Sequence, residues 1–337
     1  MKPVKNIGVI GAGSWGTTLA DLLAKKNYSV TLWVYEEDLA ERMASSRVND
    51  LYLPGFTLSE NLSVTSALTE AVQGRDLLLL VSPSQVMRKV LQQAGPHIGG
   101  ETLIVSASKG IENDSLQPMA EVITECLGAD RGRRLVFLSG PSFAREVAAG
   151  MPTAVVAASA DARAAAIVQE VFSTPYFRIY TNDDVIGVEL GGALKNVVAL
   201  AAGVSDGLGF GYNTRAALIT RGLAEMTRMG VALGAHPGTF AGLAGMGDLV
   251  LTCTGDLSRN RTVGMELGRG HTLEEILGNM NMVAEGVKTT LSAYQLAQKI
   301  GVDVPITEQM YRILYQNKDP RQAVSDLMLR ELKAEAV

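Results

Sequence analysis

The chain has 337 residues, of which 47% are hydrophobic and 19% are charged, and its formal net charge is −5. This length exceeds the size at which a single hydrophobic core usually stops growing, so we expect two domains. The composition argues against a disordered chain, and the acidic balance argues against a general affinity for nucleic acid or anionic membranes. Any anionic small-molecule substrate must therefore be held by a local cluster of basic side chains.

Cys126 and Cys253 are the only cysteines, and neither belongs to a Cys-x-x-Cys or Cys/His cluster. A disulfide framework and a metal site therefore have no support. The short apolar segment at the N-terminus ends in glycines rather than in a signal-peptide core, and no run reaches the ~18 apolar residues of a membrane span. We expect a cytoplasmic protein without a membrane span.

The first half alternates short β-branched or leucine-rich runs with helical patterns, which is typical of βα units around a buried parallel sheet. The most apolar run, residues 77–81, has no polar alternation and indicates a strand covered by helices on both faces. Strands are predicted at residues 6–10, 30–34, 77–81, 103–107, 135–138, 153–158 and 178–180. The pattern predicts an α/β fold with a doubly wound sheet of the Rossmann type.

From about residue 184 the strand-like runs disappear, and Ala, Leu, Met and Gly recur at helical spacing. Helices are predicted over residues 188–203, 214–234 and 273–279. A Thr-Asn-Asp-Asp segment precedes the first of them and supplies candidate N-cap residues. We therefore predict a Rossmann domain over residues 1–184 and an all-α substrate domain over residues 185–337.

The strongest local motif is GAGSWG at residues 11–16, which follows the first predicted strand and precedes a helical stretch. In this context Gly11 permits a tight turn, Gly13 lets a pyrophosphate approach the backbone, and Gly16 allows close packing of helix on strand. The free N–H groups at the start of the helix then face the phosphates. The motif predicts a nicotinamide dinucleotide cofactor.

The end of the second predicted strand should lie near the ribose of that cofactor, and Tyr35, Glu36 and Glu37 follow it. A carboxylate there favours the free 2′-hydroxyl of NAD. Arg42 and Arg47 come soon afterwards and could instead meet the 2′-phosphate of NADP. These residues leave the choice between NAD and NADP open.

Two lysines stand in unusual surroundings. Lys195 lies in a helical run of Val, Leu, Ala and Gly, where partial burial would lower its pKa and allow proton exchange near neutral pH. Lys109 follows the predicted strand at residues 103–107, at the end of a sheet where open α/β folds bind ligands. Asp248, set beside glycine, could orient or tune Lys195. Alternatively, Lys195 could be a snorkelling lysine at a helix edge, Lys109 a simple loop lysine and Asp248 a plain turn residue.

A further group of polar residues suits a phosphate dianion. Arg259 supplies a planar forked cation, and Ser258 and Asn260 flank it with hydroxyl and amide groups. Arg261 has two open interpretations, since it could equally be a surface residue.

Several segments together resemble the bacterial NAD(P)-dependent glycerol-3-phosphate dehydrogenase family. They cover nearly the whole chain in order: GAGSWGTTLA, SASKGIE, LSGPSFAREVAAGMPTA, GVELGGALKNVVALAAGVSDGLGFG, TRAALITRGLAEMTR and GMGDLVLTCTGDLSRNR. The resemblance implies reversible reduction of dihydroxyacetone phosphate to sn-glycerol 3-phosphate, feeding phospholipid synthesis, and is compatible with a homodimer. The chain departs from the family at Tyr35, where members often carry Arg or His, so the NADP preference stays open.

The resemblance also implies roles for individual residues. Lys195 would carry the proton, with Lys109 and Asp248 as further catalytic residues. Substrate contacts are implied for Lys109, Gly140, Ser142, Lys195, Asn196, Asp248, Thr252, Ser258, Arg259 and Asn260. Together with the glycine motif and the ribose residues, the predicted cofactor contacts are Gly11, Gly13, Ser14, Trp15, Gly16, Tyr35, Arg47, Lys109, Ala144, Arg259, Val283 and Glu285.

Two other functions fit parts of the pattern. One is another reductase with the Rossmann-plus-helical plan, such as a 3-hydroxyacid dehydrogenase. The phosphate-suited segment at residues 258–260 argues against it. A non-catalytic NAD(P) sensor has no use for Lys195, Lys109 and Asp248 in small-residue surroundings. The preferred hypothesis is therefore a glycerol-3-phosphate dehydrogenase.

Overall fold

The computed structural model describes residues 3–132, 134–280, 284–332 and 334–335. They form two compact units. The first unit runs to Ser108 and resumes over Met119–Val185, and the second comprises Lys109–Pro118 and the chain from Ile186 onward. The sequence interpretation did not anticipate that Lys109–Pro118 belongs with the second unit. The division after residue 184 into two functional domains stays a prediction.

The first unit is built on one eight-stranded sheet. Its strands are β1 (Asn6–Ile10), β2 (Ser29–Trp33), β3 (Leu62–Thr65), β4 (Leu77–Leu80), β5 (Leu103–Ser106), β6 (Val136–Ser139), β7 (Thr153–Ala158) and β8 (Phe177–Asn182). The spatial order is β3-β2-β1-β4-β5-β6-β7-β8, and all neighbouring strands are parallel except β6 and β7. The first six positions have the strand order of a dinucleotide-binding sheet, which confirms the predicted Rossmann-type fold class.

Two features of the sheet differ from the sequence prediction. The edge strand β3 was not predicted, because it is four residues long and only Leu62 is buried. The sheet is parallel as predicted except at β7, which runs antiparallel to β6. A strand buried on both faces is apolar in either direction, so its sequence does not report its orientation.

Helices cover both faces of this sheet. They are α1 (Ser14–Lys25), α2 (Glu37–Ser46), α3 (Leu68–Val72), α4 (Met87–Ala94), α5 (Met119–Leu127), α6 (Ala129–Gly132), α7 (Ala144–Ala148) and α8 (Ala162–Phe172). Leu19 and Leu23 of α1, one turn apart, are fully buried in one core cluster with Ile7 and Val9 of β1. Burial of each such side chain is worth about 1.5–3 kcal/mol, so this packing fixes the start of α1 against the sheet.

The second unit is helical. Its helices are α9 (Val185–Gly207), α10 (Tyr212–Ala232), α11 (Pro237–Phe240), α12 (Asp248–Thr254), α13 (Arg259–Gly268), α14 (Leu273–Gly278), α15 (Glu285–Ile300), α16 (Pro305–Gln316) and α17 (Pro320–Met328). A π-helical turn over Leu243–Gly247 leads directly into α12. The three predicted helices correspond to α9, α10 and α14, with α9 extending three residues earlier and four later than expected.

The helix α9 is the core of the second unit. Among the described residues it alone is long and apolar enough to cross a membrane by length and composition, and 83% of its most apolar stretch is buried inside the protein. Leu190 and Leu194 pack in one core cluster, and Val197 and Leu200 pack in another. This helix therefore carries apolar residues around most of its circumference, as expected of a helix at the centre of a helical unit.

Candidate active site

The glycine turn between β1 and α1 has the geometry that a dinucleotide requires. Gly11 has φ +115°, a conformation that side chains rarely adopt, and a Cβ on Gly16 would lie 1.9 Å from the carbonyl oxygen of Gly11. No atom lies within 4 Å of the position that a Cβ on Gly13 would occupy, so the backbone there is open. Because α1 begins at Ser14, the N–H groups of its first turn lie next to this opening, and the turn fits a pyrophosphate.

Asn49 supports this turn and was missed by the sequence interpretation. Its side chain is fully buried, and its Nδ2 donates to the carbonyl of Ala12 at 2.8 Å and to Oγ1 of Thr17 at 2.8 Å. Its Oδ1 accepts a hydrogen bond from the backbone N–H of Tyr52 at 2.9 Å. No local pattern marks Asn49, since the two groups to which it donates lie 32 and 37 residues earlier in the chain.

The segment from the end of β6 to the start of α7 carries three more predicted site residues, Gly140, Ser142 and Ala144. Oγ of Ser142 donates to the carbonyl of Gly140 at 3.1 Å. Thr18 of α1 donates through its Oγ1 to the carbonyl of Ala144 at 3.2 Å. This bond ties Ala144 to the helix that follows the glycine turn, and a contact of Ala144 with the cofactor stays a prediction.

Three other predicted cofactor residues, Trp15, Tyr35 and Arg47, lie in different surroundings. The ring of Trp15 packs against that of Phe177 with centroids 6.2 Å apart, so it contributes to the core as well as to the glycine motif. Tyr35 is 77% exposed. Nε of Arg47 donates to the carbonyl of Leu58 at 3.1 Å, so the guanidinium braces a loop, and its contact with a cofactor stays a prediction.

In the second unit three predicted catalytic residues form one buried cluster. Nζ of Lys195 lies 2.5 Å from Oδ1 of Asp248, and Nζ of Lys109 lies 2.5 Å from Oδ2 of the same carboxylate. Oγ1 of Thr252 accepts a hydrogen bond from Nζ of Lys195 at 2.8 Å. Asp248 is 1% exposed and Lys195 is 7% exposed, whereas the Lys109 side chain keeps 19% of its surface accessible.

The backbone explains how the cluster is positioned. Gly191 lies one turn before Lys195 on α9, and a Cβ there would be 2.6 Å from the carbonyl oxygen of Ala244 in the π-helical turn. The missing side chain lets this turn approach α9 closely, and Asp248 is the next residue after it. Thr252 follows one turn later on α12, where its hydroxyl donates to the carbonyl of Asp248 at 2.6 Å.

Burial and charge together set the protonation behaviour of the cluster. Burial lowers the pKa of Lys195 to about 8, a change that Asp248 opposes and Lys109 reinforces. Burial alone would raise the pKa of Asp248, but the two ammonium groups bring the pKa below its usual value. Burial raises the pKa of the neighbouring Cys253 to about 12, so that thiol stays protonated. Lys195 is therefore the group in this cluster that can exchange a proton near neutral pH.

The N-terminus of α13 carries the residues predicted to hold phosphate. Ser258 is its N-cap and accepts from the backbone N–H of Arg261 at 3.2 Å. The Asn260 Nδ2 donates to Oδ1 of Asn196 at 2.9 Å, and Asn260 Oδ1 accepts from the N–H of Gly286 at 3.0 Å. These bonds place Asn260 beside the residue that follows Lys195 on α9.

Arg261 is largely buried rather than a surface residue. Only 11% of its side chain is exposed, and Nε lies 2.8 Å from Oδ2 of Asp206. Asp206 is also paired with Arg215, which joins α9, α10 and α13. Sequence reasoning missed Asp206 and Arg215, because a paired arginine and a solvated one look alike in a single sequence.

The remaining predicted cofactor residues are Glu285 and Val283. Burial lowers the pKa of Arg259, and the carboxylate of Glu285 opposes this shift, so Arg259 and Glu285 interact. Val283 lies outside the described residues. Among residues 3–132, 134–280, 284–332 and 334–335, no group of three His, Cys, Asp or Glu side chains could hold a metal ion.

Comparison with known proteins matches two successive parts of the chain. The model of the NAD-dependent glycerol-3-phosphate dehydrogenase N-terminus matches residues 6–165, and that of the C-terminus matches residues 184–325. A protein of Syntrophotalea carbinolica named glycerol-3-phosphate dehydrogenase (NAD(P)+) is 67% identical over 330 residues, 98% of this chain and 99% of that protein. One of the same name from Geobacter metallireducens is 65% identical over 331 residues, 98% of this chain and 99% of that protein.

A solved structure is also similar over almost the full length. The crystal structure of glycerol-3-phosphate dehydrogenase from Coxiella burnetii superposes with a TM-score of 0.93 at 42% identity, covering 97% of this chain and 99% of that one. The similarity therefore extends through both units.

Proposed function

The chain belongs to the NAD-dependent glycerol-3-phosphate dehydrogenase family, and we propose that it catalyses the reversible NAD(P)H-dependent reduction of dihydroxyacetone phosphate to sn-glycerol 3-phosphate. The observation that carries this proposal is the buried cluster of Lys195, Asp248 and Lys109. Its parts meet the needs of carbonyl reduction, which are a proton donor and a positive charge near the oxygen that becomes an alkoxide. A cytoplasmic location, a role in glycerophospholipid synthesis and a homodimer belong to the same proposal.

Lys195 is assigned the proton transfer. Since its pKa is about 8, both the ammonium and the amine are populated near neutral pH. In reduction the ammonium gives its proton to the carbonyl oxygen as the C2 carbon gains a hydride, and in oxidation the amine takes the proton back. The nicotinamide cofactor, when bound, supplies or accepts that hydride.

Asp248 and Lys109 are assigned orientation and charge stabilisation. Asp248 fixes both ammonium groups through separate oxygens, and Thr252 holds Lys195 from a second direction. Because Lys109 is partly accessible, its charge is available to a developing alkoxide. Positioning and electrostatics of this kind supply a large part of the rate of such reactions.

The start of α13 is assigned to the substrate phosphate. This ten-residue helix has Ser258 as its N-cap and Arg259 as its first residue. Free backbone N–H groups at a helix N-terminus, a guanidinium and an amide together form a binding site for a dianion. The assignment predicts that dihydroxyacetone, which lacks the phosphate, is a poor substrate.

The test is turnover of dihydroxyacetone phosphate, followed through the absorbance of the reduced nicotinamide, with dihydroxyacetone and a 3-oxoacid as comparison substrates. We expect NADH or NADPH to be oxidised with dihydroxyacetone phosphate and not with either comparison substrate. No oxidation, in protein that binds cofactor, would rule out the proposed reaction.

Lys195→Met should abolish turnover while cofactor binding stays near the wild-type level. Lys299→Met, which removes an exposed lysine near the end of α15, is the matched control and should leave turnover unchanged. Near-wild-type turnover in Lys195→Met would show that another group carries the proton.

A further inference from the structure

We propose that this enzyme uses NADH in preference to NADPH, and that Glu36, held in place by Tyr52, is the residue that discriminates between them. The inference deepens the proposed function, since it concerns the cofactor of the same reaction. It rests on the charged residues that follow β2, all of which lie in the first unit.

Glu36 stands where a carboxylate can bind the ribose of NAD. It is the N-cap residue of α2, three residues after the end of β2 and about 20 residues after Gly16, the spacing typical of the ribose-binding acid. The Tyr52 hydroxyl donates to Oε1 of Glu36 at 2.8 Å. Burial and the bond to Glu36 raise the pKa of Tyr52 to about 12, so this hydroxyl remains a donor.

The same segment connects Glu36 to the glycine turn. The backbone N–H of Tyr52 donates to Asn49, and Asn49 donates to the carbonyl of Ala12 inside the turn. The carboxylate and the pyrophosphate-facing backbone are therefore held by one short, hydrogen-bonded segment, residues 49–52. A carboxylate fixed in this way can accept from both ribose hydroxyls of NAD, whereas a 2′-phosphate would meet its negative charge.

The arginines that could neutralise a 2′-phosphate are engaged elsewhere. Nη1 of Arg42 lies 2.7 Å from Asp38 and its Nε lies 3.0 Å from Asp50. Nη2 of Arg47 donates to the carbonyl of Leu62 at 3.4 Å and also to the carbonyl of Ser59.

The net charge of residues 36–50 also favours NADH over NADPH. Residues 36–50 contain five carboxylates and two arginines, and Tyr35, the residue before them, is exposed and uncharged. A 2′-phosphate here would face an excess of negative charge with both guanidinium groups occupied, which disfavours NADPH.

The first experiment compares kcat/KM for NADH and NADPH at saturating dihydroxyacetone phosphate, together with Kd for each cofactor from quenching of tryptophan fluorescence. We expect NADH to be favoured by at least about tenfold in both quantities. Equal values, or a preference for NADPH, would overturn the inference. The Kd values need no turnover, so tighter NADH binding without oxidation would refute the proposed reaction and leave this inference standing.

Variants then test the residue assignment. Glu36→Gln removes the charge with little change of size, and we expect the NADH-to-NADPH ratio of kcat/KM to fall about fivefold or more. Tyr52→Phe should lower the same ratio in the same direction, because it frees the carboxylate to turn away. Glu37→Gln, the matched control, removes a carboxylate from the exposed next residue and should leave the ratio unchanged. An equal effect of Glu37→Gln and Glu36→Gln would show that net charge, and not Glu36, sets the preference.

Discussion

Nζ of Lys195 lies 2.5 Å from Oδ1 of Asp248, in a setting where Asp248 is 1% exposed and Lys195 is 7% exposed. The same carboxylate also binds Lys109, so one buried anion lies between the two amino groups. Buried charge of this kind is costly to stability unless it is paired. A developing alkoxide beside the two lysines would be stabilised by their positive charge, which gives the arrangement a catalytic reason.

The protonation state of Lys195 predicts opposite pH dependences for the two directions of the reaction. Its pKa is about 8, and the ammonium exists below this value and the amine above it. Reduction needs the ammonium, so its kcat/KM should fall as the pH rises through about 8, while that of oxidation should rise. Initial rates from about pH 6 to about pH 10, with fluorescence as a control for unfolding, provide the check. Profiles that bend in the same direction would contradict this assignment.

Substitutions at the two partners of Lys195 should move its pKa in opposite directions. Beyond the effect of burial, Asp248 raises the pKa of Lys195 and Lys109 lowers it. Asp248→Asn should therefore move the pKa downward, and Lys109→Met should move it upward. Each variant should also lose about 100-fold in kcat/KM. NMR titration of isotopically labelled lysine follows the pKa without turnover, and shifts of the same sign would refute the geometry.

Gly191→Ala should impair the cluster without touching any of its side chains. The new Cβ would lie 2.6 Å from the backbone oxygen of Ala244, so the π-helical turn and Asp248 must move away from Lys195. We expect a stability loss of about 1–3 kcal/mol, together with a lower kcat. Thermal unfolding and steady-state kinetics measure both. Gly278→Ala is the control, because no atom lies within 4 Å of its added Cβ. An equal loss of stability and kcat in Gly278→Ala would show that replacing a helical glycine by alanine, and not the contact with Ala244, causes the effect.

Asn49→Ala should weaken cofactor binding more than it affects chemistry. The substitution leaves the N–H of Tyr52 without its partner, at about 1–3 kcal/mol for an unsatisfied group. It also removes one of the two hydrogen bonds to the carbonyl of Ala12, which keeps the bond from Thr17. We expect a lower Tm and a raised KM and Kd for NADH. The value of kcat should change by less than about twofold, as small an effect as that of a typical surface substitution. Dihydroxyacetone phosphate KM serves as the internal control, and a fall in kcat with unchanged KM for NADH would exclude this positioning role.

The sequence predicted the features that depend on contiguous residues. The glycine turn needs a strand, three glycines and a helix start within sixteen residues of the N-terminus, and all of these are visible locally. The buried strands and the helical texture after residue 184 are similarly local, because burial on both faces or around a helix leaves an apolar pattern. The edge strand β3 lacks that pattern because only one of its four residues is buried.

Only the tertiary structure decided which distant polar groups meet. Lys109 and Asp248 are 139 residues apart in sequence, and Lys195 and Asp248 are 53 apart, so no spacing rule links them. The sequence marked these residues singly, as charges in apolar surroundings, but their pairing depends on the close approach of the π-helical turn to α9. Likewise Arg42 and Arg47 are two free cations in the sequence, and the fold occupies both with acids and carbonyls. Local sequence determines local conformation, whereas the charge and pKa of a site depend on what packing brings within a few ångströms.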